Sequence, residues 1–255
     1  MSVRRTGRGT ELVWIHGLGE SSTSFEPVIA KLPQFAHTLV DLPGYGRSAW
    51  PGEPFGLEAL ADHLAAWLLA RPLATVLGHS MGGVLAVMLA ERGAANAIVD
   101  IDGNVTRADC TISAQATAGT EAAFLDRGFA VLRDQIYRDG VTDAPLRAYH
   151  AALCFAQPRT FYRQASDLVA LSATETIAPR LAALTIPALF VAGVPGGISP
   201  ASRAALDRHR VRWIGIEPAG HWVYLDQLAA FASAIESFAG PIAGPIAGPI
   251  AGVIE

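Results

Sequence analysis

The chain is poor in cysteine, in charge and in basic clusters, and each shortage excludes something. Only Cys110 and Cys154 occur in 255 residues. Two thiols cannot frame a disulfide-stapled domain, so a reducing compartment is the simpler expectation and a cytoplasmic location follows from it. They form no CxxC pair, and no HExxH occurs, so the usual zinc signatures are missing and neither metal nor cofactor is expected. Charged residues make up 16% of the chain and the formal net charge is -4. The arginines are scattered, with Arg4-Arg5 and Arg8 the nearest approach to a cluster, which argues against a nucleic-acid partner. No stretch approaches the roughly 18–20 continuous apolar residues of a membrane span. Residues 60–69 come closest and are interrupted by Asp62 and His63. The opening Met1-Ser2-Val3-Arg4-Arg5-Thr6-Gly7 has no apolar core of the kind a secretory signal needs.

What is present is a large apolar fraction, 51% of residues, enough for one sizeable globular core with room for an inserted segment. Short apolar runs alternate with longer helix-like stretches. Leu12-Val13-Trp14-Ile15, Thr38-Leu39-Val40-Asp41-Leu42, Thr75-Val76-Leu77 and Ala97-Ile98-Val99-Asp100-Ile101 read as buried strands. Residues 25–32, 57–69 and 84–92 read as the helices between them. Near-continuous apolar strands separated by helices predict a mostly parallel sheet covered on both faces, an α/β doubly wound fold. The alternation stops over residues 104–183, which have helical spacing and no clear strand. It returns with Ala188-Leu189-Phe190-Val191-Ala192, a helix over 200–208, a strand over 211–216 and a closing helix over 223–238. The expected organisation is therefore a core of residues 1–103 and 184–238, and a helical cap of residues 104–183 over the carboxyl edge of the sheet, where ligands bind in open α/β folds. Residues 239–255 form a separate tail in which Ala-Gly-Pro-Ile repeats. A Gly-Pro pair every four residues cannot continue a helix, so extended or disordered chain is expected there.

The most informative segment is Gly78-His79-Ser80-Met81-Gly82-Gly83, set between the strand ending at Leu77 and an apolar helix. A G-x-S-x-G turn from strand to helix is a nucleophile elbow: it lifts the serine hydroxyl above the sheet and aims the next backbone N–H at the same spot. Side chains at positions 78 and 82 would collide with the neighbouring strand and helix, hence the glycines. A serine hydroxyl needs a base, and the base needs an orienting group. His221, in Ala219-Gly220-His221-Trp222, follows the last strand on the same edge of the sheet and is the expected base. An oxyanion needs two preorganised donors. The Met81 N–H is one, and the Leu18 N–H, in His16-Gly17-Leu18-Gly19-Glu20, is the candidate for the other, with His16 bracing that loop.

In order and spacing, His16-Gly17, the Asp41-to-Ser48 segment DLPGYGRS, the GHSMGG segment at 78–83 and Gly220-His221 resemble the α/β-hydrolase superfamily over residues 11 to 238. The resemblance implies a Ser–acid–His triad on a mostly parallel sheet, with a helical cap. It also implies that the family's first two strands are truncated or absent, because the chain begins so close to its HG strand. The family's usual acid position, in the loop after the strand at 188–192, is occupied here by Gly196, although Ile198 and Pro200 keep the surrounding pattern. No Asp or Glu lies in that loop. Some relatives, such as haloalkane dehalogenases, carry the acid at the end of the strand after the elbow helix. That position is Asp102 here, 22 residues past Ser80. Asp102 is the expected acid; Asp100, one pleat deeper, Asp109, and a triad without an acid are the alternatives.

Aromatic residues in and around the inserted segment, with no basic cluster, favour a small, largely apolar substrate. Trp222, Phe25 and Asn104 are the expected substrate contacts, with Arg107 near the same entrance. The expected activity is serine hydrolysis of an ester or related acyl bond. The alternatives are a C–C bond hydrolase or lyase using the same triad, and a non-catalytic binder of small ligands. Ser80, where a nucleophilic Asp would otherwise stand, argues against epoxide or haloalkane chemistry.

Overall fold

The computed structural model describes residues 1–242; the AGPI repeat from residue 243 onward lies outside the described residues. Seven strands form one sheet: β1 (Ser2–Gly7), β2 (Glu11–Ile15), β3 (Ala36–Asp41), β4 (Thr75–His79), β5 (Ala97–Ile101), β6 (Ala188–Gly196) and β7 (Trp213–Gly220). Their spatial order is β1-β3-β2-β4-β5-β6-β7. All pairings are parallel except that of β1 with β3. The central strands β3, β4 and β5 are buried at every position, as expected where both faces are covered.

One strand, β1, precedes the HG strand β2 and pairs with β3, so of the two strands expected to be truncated or absent one is present. Its sequence, Ser-Val-Arg-Arg-Thr-Gly, is polar because it is a half-exposed edge strand. Arginines on an edge discourage pairing with other chains, and they also hide the strand from an apolar pattern search.

Two apolar layers flank the sheet. On one face the helices Leu57–Leu69 and Met81–Glu91 pack with Val13, Val76 and Ile98. On the other, Phe25, Val28 and Leu32 join the closing helix Leu228–Ala239 against Leu12, Trp14, Leu77 and Val99. Between β5 and β6 the chain is helical, with Phe129–Asp139, Ala144–Leu153, Pro158–Ser172 and Ile177–Ala183 as its main helices. Among the described residues no helix is long and apolar enough to cross a membrane.

The parallel strands share one direction, so their carboxyl ends converge. The loops after β2, β4, β5, β6 and β7 bring Leu18, Ser80, Asp102, Gly197 and His221 to the same edge.

Candidate active site

Ser80 links β4 to the helix Met81–Glu91 at φ 55, ψ -120, a positive-φ conformation that non-glycine residues rarely hold. The glycines around it are required by space. A Cβ on Gly78 would lie 1.9 Å from the Gly82 carbonyl oxygen, and one on Gly82 would lie 2.2 Å from that of Ile15. The Ser80 N–H donates to the Ile101 carbonyl at 2.8 Å, and its carbonyl accepts from Gly83 N–H, so the turn is fixed on both sides. Met81 opens the helix, where backbone N–H groups have no intrahelical acceptor and face outward.

Across the sheet edge, His221 Nδ1 stands 2.9 Å from Asp102 Oδ2. Asp102 is fully buried and itself adopts a positive φ of 52. Its other oxygen accepts from the Gly193 and Ile198 N–H groups, both at 3.1 Å. The loop that lacks a carboxylate thus supplies backbone donors to one arriving from the next strand. It leaves room for it as well, because a Cβ on Gly197 would lie 2.5 Å from both Asp102 oxygens. Burial disfavours a charged His221, but the hydrogen bond and the charge of Asp102 outweigh it, and the His221 pKa is raised.

The two alternative carboxylates are engaged elsewhere. Asp100 lies inside the sheet, fully buried, with one oxygen accepting from Gly103 N–H at 3.0 Å. Burial raises its pKa well above the ordinary carboxylate value. Asp109 accepts from the Val105, Thr106 and Ser199 N–H groups and the Ser202 hydroxyl. It ties the start of the helical segment to the helix Pro200–Arg208.

Leu18, Ser80, Asn104, Tyr149, His221 and Trp222 line one cavity of about 40 Å³. Asn104 and Trp222 are thus where substrate contacts were expected. The Ser80 hydroxyl lies 3.4 Å from Asn104 Oδ1, and the Asn104 amide donates to the Asp109 carbonyl. Phe25 is not in the cavity, which corrects the expectation for it. It is fully buried on the opposite face, with its ring 5.1 Å from Trp14 and 5.2 Å from Tyr224. Expected as the first residue of a helix over 25–32, it instead ends the short turn Ser22–Phe25, which packs it into the core. Arg107 is exposed and does not line the cavity. A larger depression of about 250 Å³, lined by Arg5, Thr6, Glu11 and His37 among others, lies at the opposite end of the strands and contains no serine–histidine pair. Among the described residues no group of three or more His, Cys, Asp or Glu side chains is placed to hold a metal.

The loop after β2 is held by its own histidine. His16 Nδ1–H donates to the Gly17 carbonyl at 2.8 Å, leaving Nε2 to accept from Leu42 N–H at 3.0 Å. The acidic residue of that loop, Glu20, is where sequence reasoning fell short. It is 2% exposed, and its carboxylate accepts from Gly17 N–H at 2.9 Å and from Trp222 Nε1–H at 2.7 Å. His79 Nδ1 lies 2.9 Å from it. His79 and Trp222 are far from Glu20 in sequence, so no local pattern revealed these contacts.

Residues 12–234 match the alpha/beta hydrolase family, and the chain belongs to that family. Among curated relatives, a pimeloyl-[acyl-carrier protein] methyl ester esterase of Stenotrophomonas maltophilia is 40% identical over 88 residues, 34% of this chain and 33% of that one. The magnesium-chelatase 30 kDa subunit of Rhodobacter capsulatus is 41% identical over 88 residues, 32% and 30% of the respective chains. The chain therefore matches about a third of the length of these relatives. Among solved structures, a thermophilic esterase from Thermogutta terrifontis superposes with a TM-score of 0.77 at 21% identity, covering 95% of this chain and 94% of that one. The enol-lactonase from Burkholderia xenovorans gives 0.69 at 21% identity, covering 94% and 96%. At such identities these likenesses establish the fold.

Proposed function

We propose that the protein is a serine hydrolase that cleaves an ester or related acyl bond of a small, largely apolar substrate. The observation that carries this reading is the 2.9 Å contact of His221 Nδ1 with buried Asp102, beside a cavity that His221 shares with the strained Ser80. Asp102 fixes the His221 tautomer, with Nδ1 protonated and Nε2 free to accept a proton. For attack, the Ser80 hydroxyl leaves its long contact with Asn104 and donates to Nε2. Oγ bonds to the acyl carbon, and the Leu18 and Met81 N–H groups take the developing oxyanion. His221 then protonates the departing alcohol, and water activated by the same imidazole releases the acid and regenerates Ser80.

The walls support the substrate class. Ile112, Leu168, Tyr149 and Trp222 give the cavity apolar and aromatic walls beside the polar Asn104, Thr111 and Ser113 and the acidic Glu20 and Asp109, and among the described residues no lysine or arginine lines it to hold an anionic acyl group. About 40 Å³ is room for two or three waters. The part of the substrate beside Ser80 must therefore be small, or the helical segment must move as a cap. The esterase names of the relatives agree with the bond type.

A fluorophosphonate probe tests the nucleophile. The wild type should label at Ser80 and the Ser80→Ala variant should not; an unlabelled wild type overturns the proposal. A series of p-nitrophenyl esters should then show turnover falling as the acyl chain lengthens.

A further inference from the structure

We infer that His79 and Glu20 form a buried imidazolium–carboxylate pair that sets the position of both the oxyanion loop and the His221 turn. The inference rests on the serine-hydrolase reading above and extends it to two residues outside the triad.

His79 is fully buried, and both ring nitrogens face acceptors. Nδ1 lies 2.9 Å from Glu20 Oε1, and Nε2 lies 2.9 Å from the backbone carbonyl of His221. A carbonyl oxygen cannot donate, and neither can an ionised carboxylate. Beside an ionised Glu20, a neutral imidazole with its single N–H would leave one of these contacts as two facing lone pairs, at a position closed to bulk solvent. An imidazolium satisfies both, and the Glu20 carboxylate balances its charge.

Buried ion pairs are tolerated when the remaining hydrogen-bonding capacity is used, and here it is. Glu20 also accepts from Gly17 N–H and the Trp222 indole. Burial alone would push the Glu20 carboxyl up, but the charge and hydrogen bond of His79 and the Gly17 amide hold it down at about 2.

One carboxylate thereby joins three loops. Through Gly17 it holds the backbone that carries Leu18. Through His79 it holds the elbow and, by the Nε2 bond, the main chain of His221. Through Trp222 it holds the residue beside the base. The His79 and His221 rings lie 4.7 Å apart, and the edge of Tyr224 closes the other side at 5.0 Å. The ionisable groups facing His79 are thus Glu20 and His16 from the loop after β2, and His221 and Tyr224 from the segment after β7, with Asp102 beyond His221. His79 and Glu20 touch no reacting atom in this account, so they are positioning residues.

Nitrogen-15 spectra of the histidine side chains of the whole protein test the pair directly. In the wild type at neutral pH, His79 should show both ring nitrogens protonated. A single protonated nitrogen there overturns the inference, whatever the variants do. In Glu20→Gln, which keeps the shape and removes the charge, His79 should revert to one N–H. Its labelling rate and kcat should fall by on the order of tenfold to a hundredfold through misplacement of the donors and base, while KM shifts much less. Unchanged labelling and kcat in a folded Glu20→Gln protein overturn the coupling while leaving the triad standing. An unlabelled wild type instead defeats the hydrolase reading, and the ring spectrum still decides the ion pair.

Discussion

Asp102 shows how much one side chain does when its surroundings have been shaped to receive it. It is buried without a cation of its own, held by two backbone amides and facing His221. Replacing it by Asn keeps the volume but removes the charge that stabilises the imidazolium. Turnover should drop by up to about 10⁴-fold, the scale of loss when a triad aspartate is amidated. The same contact sets a pH dependence. In the proposed mechanism His221 must be neutral to accept the Ser80 proton, and its pKa is raised. The acid limb of kcat/KM should therefore have its midpoint above the ordinary histidine value of about 6.5. In Asp102→Asn the residual activity should persist to lower pH, because the upward influence is gone. Glu20 carries the opposite sign. Its folded pKa is depressed, so it adds stability above the ordinary carboxylate range, and that stability is lost as pH falls towards about 2. Urea denaturation at stepped acidic pH should show a shallower loss of stability in Glu20→Gln than in the wild type.

Among the elements, the strand–turn–helix at Ser80 is the most tightly specified. Gly82 lies against the Ile15 carbonyl, which belongs to a central strand and cannot give way as a flexible side chain could. Gly82→Ala should cost about 3 kcal/mol in stability, the upper range for overpacking, measured by chemical denaturation. An ordinary melting curve for this variant would show that the turn tolerates a Cβ. This element was legible in the sequence because its constraints are local: glycines at fixed offsets between an apolar strand and an apolar helix. The placement of Asp102 beside His221 was legible for a related reason, since an empty loop after β6 directs attention to the next strand end. Strand β1 was not legible, because an edge strand faces solvent and carries no apolar alternation. Phe25 was misplaced because a short turn, not a helical period, decides which face of the sheet it meets. The Glu20–His79–Trp222 contacts join residues 59 and 202 positions apart, and nothing in any window of sequence announces them.

At the scale of the whole molecule, the parallel sheet delivers five loops to one edge, where residues of the helical segment join them around the cavity. Tyr149 and Leu168, from two of its helices, complete the cavity wall. Leu168→Ala should widen the cavity and extend the accepted acyl chain, read as a rise in kcat/KM for longer p-nitrophenyl esters relative to the acetate. No change in that ratio would show that these helices do not limit acyl length. The claim underlying all of this is that Asp102, through His221, makes Ser80 reactive. The most direct measurement is the rate at which a fluorophosphonate attaches to Ser80 in the wild type and in Asp102→Asn, with the adduct mapped by mass spectrometry. The rate should fall by a factor of a hundred or more, on the order expected for loss of the triad acid; equal rates would contradict the account.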